Sequence, residues 1–182
     1  MPLLNTITTP YAEAFLQVAT ANNEVEEIID QSKSLLKIWN DSKEFKEAMS
    51  SPVLEIESKK LVLEKLFAGK VTASFLNLLK LLADRQRIGF LDSVLERLLE
   101  LYREQRNIAL AWVTSATELN DDQKSELLKK IQSVSGTENL ELNLKVDPDL
   151  IGGFIVKVGS KVIDASLVGQ VRRLGLSLAK VT

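Results

Sequence analysis

The sequence predicts an α+β chain in two parts. An N-terminal bundle of six helices spans residues 1–107, and a small C-terminal α/β domain with a β-hairpin spans 108–182. Three observations carry this. Apolar residues recur three and four apart through the first hundred positions, the period of a helix with one buried face. After Asn107 the period falls to two, as in strands. The 182 residues are 45% apolar and 26% charged, a globular composition with enough apolar mass for buried cores.

The first helical pattern runs from Tyr11 through Ala14, Phe15, Val18 and Ala19. The second holds Val25, Ile28, Ile29, Leu35, Leu36 and Trp39, ending near Asn40. A short third carries Phe45 and Met49 and stops at Ser51-Pro52, because the residue before proline disfavours helical geometry. The fourth holds Leu61, Val62, Leu66 and Phe67, with Gly69 as a left-handed stop. Thr72 caps the fifth, which carries Phe75, Leu76, Leu78, Leu79, Leu81 and Leu82. A break at Gly89 precedes a long sixth helix through Leu91, Val94, Leu95, Leu98, Leu101 and Tyr102.

Residues 108–116 are β-branched and apolar on both faces, the pattern of a covered strand. Asn120 and Gln123 form a capping box for a helix with Leu127, Leu128, Ile131 and Val134, closed by Gly136. Leu140, Leu142, Leu144 and Val146 alternate with polar residues as a half-buried strand. Asp147-Pro148-Asp149 reads as a turn, and Gly159-Ser160 as the two-residue loop of a hairpin between 154–158 and 161–164. Ser166 caps a last helix with the stripe Leu167, Val171, Leu174 and Leu178.

The absent residue types exclude whole classes of chemistry. With no His and no Cys there is no Ser-His or Cys-His pair, no thiolate and no Cys/His zinc site. A net charge of −2, from 23 basic and 25 acidic residues, lacks the basic stripe of a nucleic-acid binder. No segment reaches the eighteen or so apolar residues of a membrane span, and the N-terminus lacks the basic and apolar regions of a secretory signal. The run Gly153 to Lys161 imitates a phosphate loop, but five residues separate Gly153 from Gly159, Ser precedes Lys, and the interval alternates like a strand. A hairpin is the better reading. Asp147 and Asp149 lack the further oxygen ligands of a calcium site. Glu100 and Arg103 read as a surface helical pair, and Arg85 and Arg87 as charge near a helix C-terminus. No metal, cofactor or small-molecule substrate is expected.

Two helices are apolar over too wide an arc. Phe75, Leu76, Leu78, Leu79, Leu81, Leu82 and Ala83 cover roughly 220° of the wheel, where a stripe of about 100° faces a core. On the first helix Tyr11, Ala12, Ala14, Phe15, Leu16, Val18 and Ala19 cover a similar arc. Either both helices are central, or they form a groove for an amphipathic helix of another protein.

Three stretches go further: TTPYAEAFLQVA, FLNLLKLLADRQRIGFL and VDPDLIGGFIVKVGSKVIDASLVGQVRRL. Together they resemble the delta subunit family of the rotary ATP synthase, whose mitochondrial counterpart is the oligomycin-sensitivity-conferring protein. The most specific part is Val146-Asp147-Pro148, Ile151-Gly152-Gly153 and Ile163-Asp164-x-Ser166, and residues 83–88 look closest to chloroplast and cyanobacterial members. The resemblance implies a non-catalytic stator subunit that links the catalytic head to the peripheral stalk, so that rotor torque drives ATP synthesis. It implies that Tyr11, Ala14, Phe15, Leu78, Leu81 and Leu82 line a groove for N-terminal helical segments of the alpha subunits. It also implies that the C-terminal domain meets the stalk b and b-prime subunits, for which Leu167, Val171, Arg172, Arg173 and Leu174 are nominated. The expected location is the cytoplasmic or stromal face of an energy-transducing membrane, a thylakoid, held there through the complex. The alternatives are a helical adaptor with the same groove outside ATP synthase, and an acidic enzyme using carboxylates between the halves.

Overall fold

Apolar residues at helical spacing become helix throughout the first hundred residues of the computed structural model, which describes residues 2–136 and 139–179, with side chains over 6–133 and 139–173. The whole is helices plus a four-stranded sheet, and it divides into two units, Met1–Tyr102 and Arg103–Thr182.

The first unit contains α1 (Pro2–Ala21), α2 (Val25–Asp41), α3 (Lys43–Ser50), α4 (Ile56–Phe67), α5 (Ala73–Asp84) and a 3₁₀ turn at Ile88–Phe90. It also holds most of α6 (Leu91–Arg106), inside which the division falls. One core joins Ala12 and Phe15 of α1, Ile28 and Trp39 of α2, Met49 of α3, Leu63 of α4, Phe75, Leu79 and Leu82 of α5, and Leu95 and Leu98 of α6. Phe15 meets Phe75 edge to face at 5.6 Å, and Trp39 meets Phe45 in the same manner at 5.4 Å. Thr72 Oγ1 accepts from the Phe75 N–H at 3.2 Å, the expected cap of α5. Lys46 of α3 pairs with Asp92 of α6 at 2.7 Å. Burial pushes the Asp92 carboxyl up, but the Lys46 ammonium and the Ser93 N–H outweigh it and hold the group below its ordinary value.

Three sequence expectations change here. The first helix starts at Pro2 rather than Tyr11 and runs through Pro10, although an interior proline gives up an N–H and crowds the carbonyl four residues back. On α4 the buried line is Lys59, Leu63 and Phe67, while Leu61 and Leu66 are exposed. Glu100 pairs with Arg97 at 2.8 Å, and Arg103 instead meets Glu141 at 2.6 Å. The last turn of α6 therefore serves the second unit.

In that unit β1 (Ala109–Ser115), α7 (Asp121–Ser135), β2 (Leu140–Val146), a 3₁₀ turn at Pro148–Leu150, β3 (Phe154–Val158), β4 (Lys161–Asp164) and α8 (Leu167–Ala179) follow in order. The sheet order is β2-β1-β3-β4, with β1 parallel to β2 and antiparallel to β3, and β3 antiparallel to β4. The parallel pair needs a crossover, and α7 supplies it, with both halves of the Asn120/Gln123 capping box formed. Leu127 and Ile131 of α7 share a core with Ala111, Val113 and Val156. The other face of β1 carries Trp112, 52% exposed, so this strand is covered on one face and not on both. Only Asn107 and Ile108 separate α6 from β1, and the Ile108 N–H still donates to the Arg103 carbonyl at 2.9 Å.

The glycine and Asp-x-Ser motifs form one joint. Ser166 Oγ accepts from the Gly169 N–H at 3.0 Å, capping α8, and donates to Asp164 Oδ1 at 2.6 Å. The Ser166 hydroxyl, then its N–H, hold the Asp164 carboxyl below its ordinary range. The Leu167 N–H donates to the Gly152 carbonyl at 3.0 Å. Gly153 sits at φ +82°, and a Cβ there would lie 2.3 Å from the Ala165 carbonyl oxygen. Only glycine permits that approach. The side chains of Val134, Leu174 and Leu178, named in the sequence patterns, lie outside the described residues.

Candidate functional site: a groove between α1 and α5

Helices α1 and α5 run antiparallel, because Asn22 at the end of α1 donates from Nδ2 to Ser74 Oγ at the start of α5, at 3.1 Å. At the opposite end Arg87, just past α5, donates from Nη1 to Tyr11 Oη at 2.7 Å, with its guanidinium carbon 5.5 Å from the Tyr11 ring centroid. Between these two ties lies a trough of about 760 Å³. Phe15 and Leu78, both nearly buried, form its floor, and the Phe15–Phe75 contact anchors that floor to the core. Ile7, Val18 and Leu81 form the walls and remain 36%, 46% and 42% exposed. A single chain does not leave three large aliphatics open around one depression without a cost in apolar hydration.

Of the six residues nominated for this groove, Tyr11, Ala14, Phe15, Leu78 and Leu81 line it. Leu82 does not: it is fully buried in the core, one residue around the helix from the open edge. The wide arc on α5 therefore has two parts, with Phe75, Leu79 and Leu82 inside and Leu81 outside. Sequence reasoning missed Ile7, Pro10, Asn22, Asn77 and Arg87 as lining residues. Ile7, Tyr11, Ala14 and Val18 form a stripe at helical spacing, readable once the helix is continued back through Pro10. For Arg87 no local signal existed, since its partner is 76 residues away.

A second apolar depression, about 620 Å³, lies over Leu35, Ile38, Phe45, Leu66 and Phe67. It explains where the exposed Leu66 side of α4 faces. On α8, Leu167 and Val171 are exposed at 50% and 68%, and Val168 beside them at 48%. Arg172 is exposed, while Arg173 donates from Nη2 to the Asp164 carbonyl at 3.0 Å and so braces the joint beneath its helix. Leu174, the last of the nominated residues, has a side chain outside the described set.

Among the described residues no group of three or more acidic side chains is placed to hold a metal ion. The 154–164 segment forms the β3–β4 hairpin, with Val158 paired to Lys161 across Gly159-Ser160, and so has no phosphate-loop geometry.

The comparisons agree on one family. The family model described as the ATP synthase delta (OSCP) subunit matches residues 7–178. Over all 182 residues the chain is 77% identical to the ATP synthase subunit delta of Prochlorococcus marinus strain MIT 9211. It is 73% identical to that of strain NATL1A, and both alignments cover the whole of both chains. Among solved structures, a chain of the Toxoplasma gondii mitochondrial ATP synthase hexamer superposes with a TM-score of 0.69 at 22% identity, over 93% of this chain and 96% of that one. At that identity the superposition speaks for the fold alone.

Proposed function

The chain belongs to the ATP synthase delta (OSCP) subunit family, and from that premise we propose that its groove between α1 and α5 holds an N-terminal helix of a synthase alpha subunit. A delta subunit is a structural part of the stator and is not itself catalytic. In the proposed arrangement residues 1–107, as a six-helix bundle, grip the catalytic head. Residues 108–182 meet the ends of the peripheral-stalk b and b-prime subunits through the open α8 stripe of Leu167 and Val171 with Arg172 beside it. Among the described residues no helix is long and apolar enough to cross a membrane. Attachment to the thylakoid face then runs through the partners.

The observation that carries this reading is the groove itself. Its floor is anchored to the core, its walls are large aliphatics left 36–46% exposed, and among the described residues its lining has one cation and no acid. That surface suits the apolar face of a helix. The test is capture of the catalytic head by the immobilised full chain. A head with intact alpha N-termini is retained, and a head with those segments removed by protease is not. Retention of both would move the contact elsewhere.

A further inference from the structure

The groove is polar only at its ends, and the ends differ. One end is cationic: Arg87 is the sole charged residue among the described residues of the lining. It is exposed, and it gives one N–H to Tyr11 Oη. A guanidinium carries five donors in a planar fork, so donors remain for an incoming acceptor. The other end is neutral. There Asn22 uses its Nδ2 on Ser74, which turns the amide oxygen into the free acceptor beside Ser74 and Asn77. A helix has the complementary polarity: its first turn presents unsatisfied N–H groups and partial positive charge, and its last turn presents carbonyls and partial negative charge.

Resting on the groove reading above, we infer that Arg87 fixes the direction in which the partner helix lies, with its C-terminal turn at Arg87 and Tyr11 and its N-terminal turn at Asn22 and Ser74. The bound helix then runs parallel to α5 and antiparallel to α1. A carboxylate in its last turn, next to the apolar stripe, is the side chain best matched to the remaining Arg87 donors. The apolar walls supply affinity without distinguishing the two directions, because Leu, Val and Ile side chains make non-directional contacts. Direction is therefore decided at the ends. Tyr11 assists by holding the guanidinium over its ring, which limits the freedom lost on binding.

The experiment uses the full chain and a synthetic peptide of the alpha subunit N-terminus, spin-labelled at one end or the other. Paramagnetic broadening of backbone amide signals locates each label. A C-terminal label should broaden Leu81 to Arg87, and an N-terminal label should broaden Asn22 and Ser74. The reverse pattern, or equal broadening at both ends, overturns the assignment. Arg87→Glu should weaken the peptide by about tenfold, the scale of a reversed charge-assisted contact. A peptide whose C-terminal-turn acid is replaced by Lys should recover that loss, and a Lys placed in its first turn should not. A merely structural role for Arg87 would weaken both peptides alike and so overturns the inference. Unlabelled peptide that fails to bind the unaltered chain overturns the groove reading itself, an outcome distinct from binding in the wrong direction.

Discussion

Leu81→Asp and Leu79→Asp lie two residues apart on one helix and should behave in opposite ways. Full burial of a leucine is worth about 1.5–3 kcal/mol. With 42% of Leu81 still exposed, a docking helix gains about 0.6–1.3 kcal/mol by covering it. A carboxylate in its place is desolvated only in the complex, adding about 1–3 kcal/mol against binding. Together these give about 2–4 kcal/mol, or between roughly 30-fold and several hundred-fold in affinity. In the free chain the same substitution loses a half-buried contact and sets an anion near the C-terminus of α5, costing about 1–2 kcal/mol. Typical domains carry about 5–15 kcal/mol, so the melt moves down but stays cooperative. Leu79 is fully buried. Removing it costs about 2–5 kcal/mol before an unpaired buried carboxylate adds several more, enough to unfold the helical unit. Thermal melts by circular dichroism and fluorescence titration with the alpha peptide separate the two variants, and Leu81→Gln repeats the test without the added charge. The reasoning is refuted if Leu81→Asp unfolds the chain as Leu79→Asp does, or if it stays folded and binds peptide unchanged.

Five further outcomes follow from the same structure. A fragment of residues 1–107 should keep a helical spectrum and a cooperative melt, since among the described residues its core draws on none beyond Tyr102; a spectrum of unfolded chain would show that this core is insufficient. Gly153→Ala should destabilise the second unit by at least about 2 kcal/mol in urea titration, from φ +82° and a 2.3 Å approach to the Ala165 oxygen. Asp92 and Asp164 are both held below the ordinary value of 3.8, so their contribution to stability is complete above that pH and is lost as pH falls through the folded values. Glu96 has the opposite sign, raised first by burial and then by Asp92 and Glu100, so Glu96→Gln should raise the melting temperature at neutral pH and change little near pH 3. Calorimetry of the full chain with millimolar Mg-ATP should give no saturable heat, because the only glycine-rich run that imitates a phosphate loop is a β-hairpin; a micromolar isotherm would contradict this.

Much of the fold was legible because the local signals and the tertiary packing agree. Thr72, the Asn120/Gln123 box, Gly136 and the Gly159-Ser160 loop are decided within four residues, and each appears where the sequence places it. What was not legible depended on distant partners. The first helical pattern is readable only from Tyr11, because proline disfavours helix interiors, yet α1 runs through Pro10 from Pro2. Leu63 and Leu66 are alike in sequence and differ only in which neighbours surround the two sides of α4. Leu81 and Leu82 were both placed in the groove, because a 220° arc shows how wide an apolar surface is and not where its edge falls. Trp112 looked covered because an apolar run carries no record of a helix layer on one face only.

The junction at Asn107 and Ile108 bears on how tension would pass along this chain. A linker of flexible residues stretches before it transmits force, as an entropic spring does. Here α6 hands over to β1 within two residues, and β1 is one of the two inner strands, laddered to β2 on one side and β3 on the other. Pulling along β1 must slide seven residues against β2 and five of them against β3 at once, a shearing geometry in which the ladder bonds share the load. An edge strand such as β4, with one neighbour, can be peeled bond by bond. Had the order of the sheet placed β1 at its rim, it would keep one ladder instead of two, and a pull along it would be shared by fewer hydrogen bonds. For a part of a stator, a strand laddered on both sides resists such a pull better than one laddered on a single side.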